Sequence, residues 1–368
     1  MEDIKILYKR LSEIDVDGCI CDVPGLQLDK NYVTALRGNP FRKAKDVVSI
    51  KVAIVDDKVA GSEYVFPLSI RSDGTVVAAG SGSCTTVGKW ARKTGIGIEL
   101  SAMKEDCRDG NFIVGDCAGL SQMAVKIRKY LKQPIFEYPR FILPLKSRSI
   151  LEMKLHGFPL KCAIAFVDLC ICLYSFVVRL VACAYSRGIR IAEVNPNDDK
   201  QLSVLADMTT HPEFRFSELH NAEWFKWVLT NSFSKYGPAK AYILYMGEDA
   251  VGFFMTKKRF HEQASHRGFK NVWLGSVIEW GCVPGCEKKL LWAIVNWALS
   301  ARRELDAVEF PVYEPFVQRF LRRLGWRQVG NANFCYNIRP DSGFVAPEGM
   351  DNPANWRLRP AMGDVGLS

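Results

Sequence analysis

Residues 84–100 read CTTVGKWARKTGIGIEL, and the fold of the first third of the chain turns on them. Cys84, Thr85, Thr86 and Val87 close a short strand of β-favouring residues that begins at Ser81. A basic loop follows with Arg92, Lys93, Thr94, Gly95, Ile96 and Gly97, and it opens a helix near 98–104. Glycines at 95 and 97 let the backbone turn tightly and come close to a ligand. The free N–H groups of a first helical turn, with the helix dipole, make a place for an anion. Arg92 and Lys93 add charge suited to a pyrophosphate. The same residues also make a plain glycine turn before a surface helix.

Outward from this loop the pattern is mixed α/β. The apolar run 52–56 ends at a turn and meets a hairpin partner at 59–66. Arg71-Ser-Asp-Gly74 is a second turn, leading into a strand at 75–79. A strand at 110–115, a helix at 120–132 and one or two strands at 136–145 follow. The spacing of Leu120, Met123, Ala124, Ile127 and Leu131 is helical. The second half repeats the order: a hairpin at 240–255, a strand at 272–280, a helix at 288–303, a strand at 306–310, a helix at 314–324 and a strand at 329–338. No sequence period links the halves, yet the shared order predicts two mixed α/β domains of like architecture. The expected boundaries are 1–145, an apolar helical linker at 146–190, a second domain at 191–345 and a tail at 346–368.

At 368 residues, 48% hydrophobic and 24% charged, the chain is neither disordered, collagenous nor solenoidal in composition. Its net charge of +9 suits anionic partners without choosing among them. The twelve cysteines include no C-x-x-C, and the five histidines complete no ligand pair near them, so no metal is expected. The N-terminal MEDIKILYKRLSEID lacks the apolar region of a signal peptide, which makes a reducing, cytoplasmic setting the expectation. Residues 160–184, LKCAIAFVDLCICLYSFVVRLVACA, are long enough to suggest a membrane span. At about 100° per residue, however, Lys161, Asp168 and Arg179 share one stripe with Cys172 and Ser175. Asp168 and Arg179 would be costly in lipid. The reading is a helix buried between two domains with one edge in solvent, a membrane-attached helix being the alternative, and no nucleic-acid partner is expected. The Pro-, Gly- and Asn-rich 344–368 reads as a surface tail.

The spacing Arg92-x-x-Gly95-x-Gly97 between a strand and a helix resembles the pyrophosphate loop of the GNAT superfamily of N-acetyltransferases. The flanking order of elements is similar too, as is Asn39-Pro40-Phe41 before the first strand. The motif-level resemblance covers about residues 35–145. It reaches 195–340 by element order and by Leu321-Arg-Arg-Leu-Gly325-Trp326. A tandem GNAT architecture with a degenerate second domain is what this implies.

The resemblance further implies that acetyl-CoA is the co-substrate, with its pyrophosphate on the amides of 92–97 and its pantetheine arm along Cys84, Thr85, Thr86 and Val87. The thioester would lie between that strand and 112–115, attacked directly by a small-molecule primary amine. Where such proteins carry a tyrosine acid, this chain has Ile127, with Tyr130 one turn on. Tyr130 is the candidate acid or a packing aromatic, and Asp116 a base or a helix cap. Glu63 faces the acceptor bay or alternates between core and solvent. In the second half Cys282-Val-Pro-Gly285 keeps one glycine, and Pro284 removes a donor, so no acetyl-CoA is expected there. Glu279, in an apolar strand, is the residue that could reverse that reading. Trp224, Phe225 and Trp227, with Phe233 and Tyr236, read as core aromatics or a stacking platform. Fem-type aminoacyl transfer from charged tRNA and a non-catalytic acyl-CoA-binding module are the alternative functions.

Overall fold

The computed structural model describes residues 4–15, 20–42, 47–92, 94–101, 112–116, 126, 129–151, 157–210, 213–232, 236–264, 269–339 and 343–362. Two compact units share the chain. Residues 1–137, 211–233 and 332–368 form the first, and residues 138–210 and 234–331 the second. The first opens with β1 (Lys5–Arg10), α1 (Lys30–Gly38), β2 (Val48–Val55), β3 (Lys58–Ser72), β4 (Thr75–Val87), α2 (Ile96–Ser101) and β5 (Phe112–Asp116). Strand β6 (Ile135–Pro144) carries the chain into the second unit, followed by α3 (Gly157–Tyr185), β7 (Ile189–Glu193) and α4 (Asp199–Thr209). β8 (Phe216–Glu218) and α5 (Ala222–Thr230) return to the first. β9 (Lys240–Met246), β10 (Asp249–Ala264), β11 (Phe269–Cys282), α6 (Glu287–Ser300), β12 (Ala307–Pro311) and α7 (Pro315–Arg323) build the second. β13 (Arg327–Ile338) leads back to the first.

The two units have one topology. In the first the strand order is β1-β2-β3-β4-β5-β13, antiparallel throughout except the parallel pair β4–β5. In the second it is β7-β9-β10-β11-β12-β6, antiparallel except the parallel pair β11–β12. The last strand of each comes from the stretch of chain that follows the other unit, which is why the division departs from the expected breaks at 145 and 345. A buried parallel strand needs an outer neighbour to satisfy its free edge. Here residues 334–338 serve β5, and residues 140–144 serve β12.

Local chemistry explains the long hairpins. Asp56 and Asp57 both have positive φ (47° and 57°) between β2 and β3, as do Asp73 and Gly74 (46° and 81°) between β3 and β4. Two-residue turns of this left-handed kind match the twist of the strands they join. The strand read as two pieces, 75–79 and 81–87, is continuous, since β3 pairs along its whole length. Asp29, Asp198 and Asn221 cap α1, α4 and α5 through their side-chain oxygens. In the second unit α6 lays Leu291, Ile294, Val295 and Ala298 on Phe254, Val277, Val308 and Phe310. In the first, Ala91, Ile96 and Leu100 pack on Ala53, Val55 and Ala60.

Two expectations are corrected. The tail does not lie on the surface over 356–362: Trp356, Leu358 and Met362 are buried. The Arg357 N–H donates to the Phe216 carbonyl, and the Trp356 ring packs among Phe136, Phe216, Phe334 and Tyr336. Nor is the long helix α3 a buried one. Asp168 and Ser175 of its polar stripe turn to the second unit, the Asp168 carboxylate accepting from the Ser147 N–H, while Lys161, Cys172 and Arg179 and much of the apolar side are exposed. Trp224, Phe225 and Trp227 are buried in the first unit, with the Trp227 indole donating to the Ala35 carbonyl.

Candidate functional site

The first unit forks beside its glycine loop. β4 and β5 run parallel for three rungs, Ala79 opposite Phe112, Gly80 opposite Ile113 and Ser81 opposite Val114. β4 then continues to Val87 along β3, and β5 to Asp116 along β13. Past Ser81 the two share no rung. The β4 edge over 82–87 therefore has no strand on that side among the described residues, a place where an extended chain can add. The Ser81 hydroxyl is fully buried at the last rung and has no hydrogen-bond partner among the described residues.

The loop beyond β4 begins with the Gly88 N–H on the Ala60 carbonyl and a short turn over Lys89–Ala91. Thr94 is held locally, its N–H and hydroxyl both donating to the Ala91 carbonyl. Gly95 has φ +89°, and a Cβ there would meet nothing within 4 Å. Its carbonyl accepts from the N–H groups of Ile98 and Glu99, which starts α2 two residues before the expected position. The amides of Gly95, Ile96 and Gly97 have no acceptor among the described residues. Arg92 is exposed, whereas the Ile96 side chain is buried beneath the loop and anchors it.

A buried ion pair ties this region together. Lys51 on β2 and Glu63 on β3 are opposite in register, with Nζ and Oε2 2.5 Å apart and side chains 1% and 2% exposed. Lys51 Nζ also donates to the Leu100 carbonyl of α2. The Thr85 hydroxyl of β4 donates to Glu63 Oε1 (2.7 Å). Strands β2, β3 and β4 and helix α2 thus meet on two charges. A backbone carbonyl near a helix end favours a cation. Lys51 escaped the sequence reading, although a lysine inside the apolar run 48–55 was the available signal.

The remaining expected residues are placed as follows. Thr86 is exposed, and its hydroxyl lies 3.1 Å from that of Ser62. Val87 is half-buried against the α2 cluster. Cys84 and Asp116 belong to β4 and β5, and their side chains lie outside the described residues, as does Lys93 altogether. The expected helix at 120–132 is described only at 126 and 129–132, where Tyr130 is 72% exposed.

The second unit repeats the fork but partners its serine. Leu274, Gly275 and Ser276 face Ala307, Val308 and Glu309, an echo of Ala79-Gly-Ser81 in the first unit. Here the Ser276 hydroxyl donates to Glu309 Oε1 (2.5 Å), and Arg140 pairs with the same carboxylate. The loop amides are occupied too: Val283 donates to Val251, Gly285 to the Glu287 carboxylate and Cys286 to Val283. Glu279 is buried and accepts from the Trp280 N–H.

Lys257, beside Ser276 on β10, is also buried. Burial and then the neighbouring Arg259 charge push its ammonium down to about 7. The unfolded chain therefore holds more protons than the native state from about pH 7 to about 10.5, and stability from this group rises with pH across that window. Lys257→Met is expected to stabilise the protein at pH 7. That advantage should shrink by roughly 1 kcal/mol per pH unit above it. Urea unfolding midpoints of both proteins across the window measure it, and a constant difference would refute it.

These two forked units, each with a parallel pair between antiparallel strands, are the tandem GNAT fold. N-myristoyltransferase from Saccharomyces cerevisiae with bound myristoyl-CoA matches with a TM-score of 0.57 over 92% of this chain and 80% of that one, at 14% identity. A GCN5-related N-acetyltransferase from Anabaena variabilis matches with a TM-score of 0.51 over 91% and 73%, at 12% identity. No family model matches the sequence, and no curated protein does.

Proposed function

We propose that the chain is an N-acyltransferase that moves an acyl group from acyl-CoA, with acetyl-CoA the expected donor, to a primary amine in the cytoplasm. The single observation that carries this reading is the contrast between the units. The amides of Gly95, directly before α2, and of Ile96 and Gly97 have no acceptor among the described residues, whereas Cys286, directly before α6, donates to the Val283 carbonyl and Gly285 to the Glu287 carboxylate. The first loop holds the diphosphate, with Arg92 adding charge. The pantetheine arm adds to β4 past Ser81, and the thioester lies in the fork, where the buried Ser81 hydroxyl has no partner among the described residues.

The amine attacks the thioester carbonyl directly. A C–N bond forms, the C–S bond breaks, and the CoA thiolate leaves and takes a proton. A strand N–H polarises the carbonyl, Asp116 receives the amine proton and the Tyr130 hydroxyl gives a proton to the CoA thiolate. Glu63 acts as a positioning residue through Lys51 and Thr85. Aminoacyl transfer of the Fem type needs no diphosphate loop, so the open amides favour the CoA reading.

Melting of the purified protein with acetyl-CoA, and separately with myristoyl-CoA, tests the proposal, because a ligand that binds the native state raises the melting temperature by mass action. A rise with acetyl-CoA supports it as written. A rise with myristoyl-CoA alone replaces the donor, and no rise with either at millimolar ligand removes the function.

A further inference from the structure

Helix α3 carries an apolar face that its own unit leaves uncovered. Its 29 residues span about 43 Å. One edge is fixed to the second unit. The Ser147 N–H and hydroxyl donate to Asp168 and to the Ile164 carbonyl, and the Tyr174 hydroxyl donates to the Leu324 carbonyl. Val178 and Ala182 enter the core, and Tyr185 stacks on Trp292. On the other side Phe166, Leu169, Leu173, Phe176, Val177 and Leu180 are exposed, Phe166 to 68% and Phe176 to 64%. At about 100° per residue these six fall within an arc of about 100°. Contiguous exposure of this kind marks an interaction surface, unlike scattered single residues.

We propose that this face docks on an anionic lipid bilayer, with the helix lying in the plane of the interface. Charge selects the occupant. Asp168 is the helix's one acidic residue, and it is turned to Ser147. Lys161 and Arg179 are exposed on the flank about 60° beyond the apolar arc, and Arg187 is exposed just past the helix end. That is the arrangement in which long basic side chains reach phosphate headgroups while apolar ones enter the acyl boundary. A second copy meeting the first along this helix would bring the same cations, and the helix offers no outward carboxylate to receive them. A span is ruled out by the fixed edge: about six turns are tied to a folded unit by polar bonds and core packing. The inference is independent of the acyltransferase reading.

Co-sedimentation of the full chain with phosphatidylcholine vesicles, with and without phosphatidylserine, tests it. Binding is expected to the mixed vesicles, weaker to phosphatidylcholine alone and falling as salt rises. Phe166→Ser/Leu173→Ser/Phe176→Ser replaces only exposed side chains, so its melting temperature should hold. Its partition coefficient should drop on the order of a hundredfold or more. Exposed Cys162, Cys170, Cys172 and Cys183 should react with a maleimide several-fold more slowly once mixed vesicles are present. Failure to sediment with either vesicle, or equal sedimentation of the triple variant, overturns the proposal. So does a doubling of mass in lipid-free solution that the triple variant abolishes, which gives the face to a second copy.

Discussion

Gly95→Asp is expected to abolish the rise in melting temperature caused by acyl-CoA, while Gly95→Asn retains most of it. Space is no obstacle to either, since a Cβ at this position meets nothing within 4 Å. The backbone is the constraint: φ is +89°, a region that Asn and Asp tolerate better than other residues with a Cβ. Both variants should therefore lose a similar stability, about 1–2 kcal/mol. They differ by one negative charge beside the amides of Gly95, Ile96 and Gly97. That carboxylate competes for the amides and repels a diphosphate. Two unit charges about 4 Å apart at an effective dielectric of about 20 interact by about 4 kcal/mol, close to a thousandfold in affinity. Isothermal titration with the donor on both variants measures it. An aspartate variant that binds as the asparagine variant does would remove the diphosphate from this loop.

How much of this was legible in the sequence depends on range. Asp73-Gly74 announced a hairpin, and the order of strands and helices announced two like units, because turn chemistry and periodicity are local. The exchange of final strands was not legible. Nothing in residues 334–338 states that their partner lies at 112–116 rather than in the strand just before them. The echo of Ala79-Gly-Ser81 in Leu274-Gly-Ser276 is three residues long and becomes meaningful only when both are seen on the last rungs before a fork. On α3 the stripe of Lys161, Cys172 and Arg179 is exposed as expected, but Asp168 and Ser175 within it turn to the second unit and the apolar side is not covered. An apolar arc ordinarily faces a core. Here the edge with Asp168 turns inward because Ser147 satisfies it, a bond between residues 21 apart that periodicity does not reveal. The tail misled through composition: its Pro and Gly content reads as loop, while Trp356, Leu358 and Met362 were the signal of burial.

Lys51→Met is expected to cost about 3–5 kcal/mol of stability, because it leaves the Glu63 carboxylate buried without its cation. Glu63→Leu alone should cost a similar amount for the mirrored reason. The pair Lys51→Met/Glu63→Leu should recover most of the loss, since replacing both charges by apolar side chains of similar volume is often near neutral. The same series decides what Glu63 does. Oε2 is on Lys51 and Oε1 accepts from Thr85. A Cβ on Gly82 would lie 2.9 Å from Oε1, so the β4 backbone closes over the carboxylate and leaves no room for an amine. A positioning residue so enclosed predicts that the double variant, once refolded and stable, keeps the pH profile of acyl transfer. Its KM for acyl-CoA should rise, because the Leu100 carbonyl at the end of α2 has lost the lysine that held it. A proton-accepting Glu63 predicts the reverse: kcat collapses in the double variant although the fold is restored, and the acidic limb of the profile disappears. Urea denaturation gives the coupling energy of the pair. Steady-state rates at several pH values then separate the two roles without any assumption about which amine is acylated.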